Sequence, residues 1–401
     1  MFFYIGNNCP IKSLIQVSSN IFIDQGWLIK VYNGQIVYYK GYSTECILGE
    51  SIEKILQGYK PAGKWAVITN QGSIYYPKIR SFPIYNNGTN RTNIPLEGYD
   101  VEIYDIEKIT RPDIKISLDS AAFKINDILT NNVHNFLKYN NVDTLRVLYS
   151  AGLDSLTVWS IVDNLGYPYD LYVHIPKGNS THKDIFGVKQ EYESDLIPLL
   201  RKKFWGYKMT SCFKNKNWYT TGFYSERFQL REVSTGHAFA NYYNKNLWDI
   251  PKKSDYLYHF LQRPECKKNT APKFSNESDL LDWCNESVYY DYQMWHIDNN
   301  FHFSPFCDIR ITEVINQLSL EDIITNALTA CIQKKIIQLN NEAFLTLLGD
   351  YKNSGPMWHN FTKNFKNITL KSRINEYITT TEQKIDPLVA HKRKREGWQS
   401  G

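Results

Sequence analysis

Leu145-Arg146-Val147-Leu148-Tyr149-Ser150-Ala151-Gly152-Leu153-Asp154-Ser155 decides the fold of this chain. Residues 145–149 are a short apolar run suited to a buried strand, and a helix is expected over residues 156–164. A turn of small residues lies between them. Strand, small-residue turn and helix in that order form a phosphate-binding arrangement. Small residues let the backbone approach an anion closely, and the N–H groups at the positive end of a helix point at it. The hydroxyls of Ser150 and Ser155 can add hydrogen bonds, and Gly152 keeps the turn open. A carboxylate beside phosphate needs a cation between them. Mg²⁺ binds through one or two carboxylates plus phosphate oxygens, so Asp154 is a candidate ligand. The alternative is an ordinary βα turn in which Asp154 or Ser155 caps the helix.

Working outward, residues 169–175 read as a second strand, 185–203 as a helix, 206–211 as a third strand and 218–222 as a fourth. Strands alternating with helices imply βαβ units and a parallel sheet. Beyond about residue 274 the chain reads as mostly helical. Residues 379–401 form a polar tail containing the basic run Lys392-Arg393-Lys394-Arg395. Upstream, Ala121, Ala122, Ile125, Ile128, Leu129, Val133, Phe136 and Leu137 recur at three- and four-residue spacing, which predicts an amphipathic helix capped by Ser117 or Asp119. Residues 1–112 read as β-rich. Ile21-Phe22-Ile23, Trp27-Leu28-Ile29, Ile36-Val37-Tyr38-Tyr39, Trp65-Ala66-Val67-Ile68 and Ile74-Tyr75-Tyr76 are short apolar runs punctuated by Gly, Asn and Asp, with one helical stretch near 51–57. The region boundary is expected near Arg111-Pro112.

A chain of 401 residues accommodates two to three domains at roughly 100–200 residues each. The excess of Asn, Ile, Lys and Tyr reads as AT-rich coding, as in some viruses and low-GC bacteria. A net charge of +5 is mild at this length, so nucleic acid is not implied by charge alone. The seven cysteines are scattered with no C-x-x-C pair, which argues against a zinc site or disulfide framework and suits a reducing cytoplasm. No window approaches the roughly 18 apolar residues of a membrane span, and the N-terminus lacks the features of a signal peptide.

The turn resembles the SGGxDS signature of the ATP-pyrophosphatase superfamily, with Ala151 in place of the first Gly. The strand and the preceding helix resemble the layout of the asparagine synthetase and β-lactam synthetase family. Thr221-Gly222-Phe223-Tyr224-Ser225-Glu226-Arg227 resembles that family's S-G-x-G-x-D-E loop. Phe303-Ser304-Pro305-Phe306-Cys307-Asp308 resembles its P-F-L-D segment, and Tyr351-Lys352-Asn353-Ser354-Gly355 its R-x-K-x-G-F segment. Gly63-Lys64-Trp65-Ala66-Val67-Ile68 and Arg80-Ser81-Phe82-Pro83-Ile84-Tyr85 resemble paired strands of a class II glutamine amidotransferase domain. The resemblance spans most of residues 1–375. It implies an α/β protein with an Ntn-hydrolase-like sheet domain over 1–112 and an ATP-pyrophosphatase (HUP-like) parallel-sheet domain with a helical C-terminal part over 113–378.

The same resemblance implies an ATP-dependent ligase that activates a carboxylate as an acyl-adenylate and transfers it to an amine. Ser150, Gly152, Asp154, Ser155, Thr221 and Gly222 would contact ATP, Asp154 and Glu226 would hold Mg²⁺, and Lys352 would be catalytic. Glu226 could instead pair with Arg227 or Arg231, and Lys352 could be a solvated surface lysine. Two departures matter. Residues 2 and 3 are Phe, and Cys9 is not terminal, so the N-terminal nucleophile of a class II glutaminase is missing. Phe223 stands where the family carries Glu or Tyr, and Phe cannot transfer a proton. The expected partners are small-molecule carboxylate and amine substrates, with a homodimer left open and no membrane. His182 is a lesser candidate near the nucleotide, and the other histidines read as structural. Two further readings stand beside the ligase: adenylation of a nucleobase or tRNA, and a nucleotide-binding pseudoenzyme on the same scaffold.

Overall fold

Period-two alternation builds the N-terminal region. β6 (Gly63–Thr69) is buried along its whole length. Its Ala66 and Ile68 face a cluster with Phe3, Ile5, Ile21, Ile23, Phe82 and Ile84, while Trp65 and Val67 face Leu48, Ile52 and Ile55. Successive side chains of a strand point to opposite faces, so one strand serves two apolar layers. Antiparallel pairing joins β4 (Leu28–Tyr32), β5 (Gln35–Ser43), β6 and β7 (Ile74–Tyr75) into one sheet, with the short helix α1 (Ile52–Leu56) on one face. The second sheet has the order β10-β8-β9-β1-β3-β2. It is formed from β1 (Phe3–Ile5), β2 (Ile15–Ser18), β3 (Ile21–Ile23), β8 (Tyr85–Asn86), β9 (Arg91–Thr92) and β10 (Asp100–Val101).

The computed structural model of the chain describes residues 1–79, 82, 84–94, 96–102, 109, 111, 113–149, 152–173, 218–222, 224–231, 233–243, 273–292 and 302–348. The stretches read as a helix over 185–203 and a strand over 206–211, and the tail 379–401, lie outside them.

α2 (Leu118–Tyr139) buries Ala121, Ala122, Ile125, Leu129, Val133, Phe136 and Leu137, the stripe its spacing predicts. Of the two expected caps, Ser117 is the one used: its Oγ accepts a hydrogen bond from the Ser120 N–H at 3.2 Å. The second half of the chain is then organised on a parallel sheet ordered β12-β11-β13-β14, made of β11 (Leu145–Tyr149), β12 (Tyr169–Val173), β13 (Tyr219–Thr220) and β14 (His302–Phe303). The chain leaves β11 through α3 (Leu153–Asn164) to reach β12 on one side. Later it returns to β13 on the other side. Strand order therefore reverses at β11, and in open α/β sheets ligands bind outside the carboxyl ends of the strands at such a reversal. The molecule is thus mixed α/β with several sheets, one of them parallel and four-stranded.

The remaining described helices are α4 (Ser225–Phe228), α5 (Val233–Tyr243), α6 (Glu277–Tyr292), α7 (Ile309–Ile315), α8 (Leu320–Thr329) and α9 (Cys331–Asn341). Among the described residues no helix is long and apolar enough to cross a membrane. Tyr42, at the end of β5, ties the two regions together. It is buried edge-on against Phe136, Trp218 and Phe303, with centroids 5.1, 5.7 and 5.4 Å away. The Ser304 N–H donates to its hydroxyl at 3.4 Å, and the Asn135 amide donates to the Thr44 carbonyl at 3.0 Å.

Candidate functional site

α3 begins at Leu153, three residues earlier than the apolar pattern predicts, so Asp154 and Ser155 lie in its first turn. Gly152 is the N-cap, in extended conformation and with no side-chain cap bond. Neither Asp154 nor Ser155 caps the helix; the Ser155 hydroxyl donates back to the Gly152 carbonyl at 3.0 Å. The ordinary capped turn is therefore not what these residues form. Ser150 and Ala151 lie outside the described residues.

β13 delivers Thr221 and Gly222 to the same place. A Cβ built on Gly222 would stand 2.2 Å from the Asp154 carbonyl carbon and 2.4 Å from the Ser155 nitrogen. Both neighbours are backbone, so only glycine fits, and the loop after β13 lies directly on the first turn of α3. Thr221 is buried, and its hydroxyl meets the His302 Nε2 at 2.7 Å. His302, on β14, is fully buried; burial, followed by the nearby Lys64 charge, holds its imidazole well below the ordinary histidine value, so it is neutral. A neutral ring can fix the Thr221 hydroxyl without adding charge.

Asp154 Oδ1 gathers three donors from distant segments. The Ser225 hydroxyl donates to it, the Gln333 side-chain amide donates at 2.6 Å, and Arg231 Nη1 approaches to 3.4 Å. Gln333 Nε2 also reaches the Ser225 hydroxyl at 3.0 Å, and its Oε1 accepts from Arg231 Nη1. Ser225 and Gln333 are fully buried, and the Arg231 side chain is 7% exposed against 28% for Asp154. The result is a polar knot of four side chains from α3, the segment 225–231 and the first turn of α9.

Arg231 is, with Arg227, one of the two arginines read as alternative partners of Glu226. It pairs with Asp154 instead, and its contact with Glu226 is main chain only, the Arg231 N–H donating to the Glu226 carbonyl at 2.6 Å. Glu226 itself is exposed. The two carboxylates that the resemblance implies for Mg²⁺ are thus one already paired with a cation and one exposed. A guanidinium already stands on the Asp154 carboxylate, and no cluster of three or more metal-ligating side chains occurs among the described residues. Phe223, Lys352 and His182 lie outside those residues. A cleft of about 200 Å³, lined by Glu45, Lys60, Lys78, Asp308, Arg310 and Glu313 among others, shares no residue with the turn. Some of its charges are paired within it, Arg310 on Asp308 and Lys78 with Glu313 at 3.9 Å.

Arg231, Gln333 and His302 are the site residues that sequence reasoning missed. Arg231 and Gln333 lie 77 and 179 residues from Asp154, and no local pattern marks either. Compared with known proteins, the chain matches no family model and no curated protein.

Proposed function

We propose that this chain binds ATP at the turn after β11 and works as an AMP-forming carbon–nitrogen ligase of the asparagine-synthetase type, without glutaminase activity. One observation carries the reading: Gly222, leaving β13, abuts the first turn of α3 at the reversal point of a parallel sheet, with a buried arginine beside it. The open helix end and small residues suit phosphate, and the crevice between β11 and β13 suits a nucleotide.

A carboxylate oxygen of the substrate attacks the α-phosphorus of ATP. The bond to the bridging oxygen breaks, and pyrophosphate leaves with that electron pair. Negative charge grows on the leaving group, where the end of α3 and Arg231 oppose it. Ammonia or another amine then attacks the acyl-adenylate, giving an amide and AMP. Mg²⁺ on Asp154 and Glu226 is what the resemblance alone implies. Lys352 is the proposed catalytic lysine by resemblance alone.

A second reading, a nucleotide-binding protein that does not turn over, is favoured by the Arg231–Asp154 pair, which neutralises the carboxylate. Pyrophosphate release from ATP decides between them, measured across a panel of carboxylic acids with ammonia, and across nucleosides and tRNA. Release stimulated by one carboxylate supports the ligase. Release only with a nucleoside or tRNA moves the substrate to nucleic acid. ATP binding with no release under any condition leaves the binding protein.

A further inference from the structure

The guanidinium of Arg231 is engaged on one nitrogen only. Nη1 faces Asp154 and Gln333. Nε is buried without any partner, and no hydrogen bond from Nη2 occurs among the described residues. Nε and Nη2 form the parallel two-donor edge that matches carboxylate and phosphate oxygens. A buried donor left unsatisfied is costly, and Nη1 of the same guanidinium reaches Asp154 in the first turn of a twelve-residue helix whose N-cap makes no side-chain bond. Gln333 and Asp154 hold the charged head in one orientation, so its free edge is fixed before any ligand arrives.

We infer that Arg231 supplies the cation of this site, so that a diphosphate group binds between the first turn of α3 and the free edge of Arg231 without a divalent metal ion. The inference rests on the ATP-binding reading and deepens it: Asp154 orients an arginine rather than coordinating a metal. Its role is that of a positioning residue, together with Gln333.

The test is calorimetric titration of the full chain with inorganic pyrophosphate, in excess EDTA and again with Mg²⁺. The expected result is binding in EDTA of the same order as with Mg²⁺. Arg231→Gln, shown folded by circular dichroism and thermal unfolding, should lose about 10- to 100-fold in affinity, the range for a hydrogen bond to a charged group. Arg231→Lys keeps the charge and loses the fork, so it should fall between the two. Gln333→Leu should weaken binding less than Arg231→Gln, because the fork remains but is no longer held. Binding by the unaltered chain only when Mg²⁺ is present overturns the inference while leaving the ATP-binding reading intact. Binding under neither condition overturns both. Should Arg231→Gln not fold, the EDTA comparison on the unaltered chain and the Arg231→Lys result decide. Unchanged affinity in a folded Arg231→Gln overturns the inference.

Discussion

Among the described residues, Asp24 and Asp154 each pair with a buried side-chain cation, one in each region, and the two pairs are built differently. In the N-terminal region the Lys40 ammonium donates to Asp24 Oδ2 at 2.8 Å and to the Gln25 carbonyl, while Asp24 Oδ1 accepts from the Phe2 N–H and the Trp27 indole, both at 2.8 Å. The Lys40 side chain is 5% exposed, and the pair is closed by its own surroundings. In the parallel-sheet region Arg231 is almost as deeply buried, yet it meets Asp154 with one nitrogen and leaves its two-donor edge unused. Burial of a charge is compensated by pairing. In the reading proposed above, the first pair is scaffold, and the reserve donors of the second would meet a ligand.

The largest effect expected from this contrast is on stability. Asp24→Asn leaves a buried ammonium without its counter-charge, which costs about 3–5 kcal/mol, and leaves pyrophosphate affinity of the folded fraction unchanged. Urea unfolding and calorimetry measure the two quantities; a loss of pyrophosphate affinity in folded protein would erase the distinction between the pairs. Arg231→Gln has the opposite profile. Asp154 keeps the Ser225 and Gln333 donors and some solvent, so stability should fall by only about 1–2 kcal/mol, while the phosphate affinity collapses. If Arg231→Gln instead matches Asp24→Asn in stability and leaves binding intact, Arg231 is scaffold as well.

His302 sharpens the comparison through pH. Its folded-state value lies well below the ordinary 6.5, burial being the main cause and the Lys64 charge the second. As pH falls below about 6.5, the unfolded chain takes up a proton that the folded chain refuses, so stability declines with falling pH until the depressed folded value is reached. The slope should approach about 1.4 kcal/mol per pH unit from this residue. Denaturation midpoints of the native chain and His302→Gln between pH 7 and 5 measure it, and the variant should lose that component of the slope. An unchanged slope would mean that the ring is not held neutral. The smallest effect belongs to Glu226. It is exposed, so Glu226→Gln should change stability and pyrophosphate affinity by no more than about 0.5 kcal/mol, as for a surface substitution. A large loss of affinity confined to Mg²⁺-containing buffer would restore it as a metal ligand.

Local pattern carried some parts of this fold and not others. The stripe from Ala121 to Leu137 announces α2, because each apolar residue reports its own face. Residues 145–149 likewise announce β11, and the five apolar runs of the N-terminal region each fall on a strand. Asp154 and Ser155 look like loop residues, yet they form the first turn of α3, since small polar side chains suit a helix start where backbone N–H groups are open. β14 has only two residues, His302 and Phe303, in a stretch that reads as helical; its pairing with β13, far away in sequence, makes it a strand. β1, β2 and β8 to β10 are too short or too polar to stand out. At the candidate site, Asp154 is legible from both the turn chemistry and the resemblance, and Gly222 from the resemblance alone. Arg231 and Gln333 are not, because their roles arise from contacts across 77 and 179 residues.

A crystal structure of the full chain with inorganic pyrophosphate bound would show directly whether Arg231 supplies the cation. Phosphate oxygens are expected within hydrogen-bond distance of the α3 first-turn amides and of Arg231 Nε, with no metal ion between Asp154 and the anion. Pyrophosphate at another place, or held through a metal on Asp154 while Arg231 Nε stays unpartnered, would contradict that role.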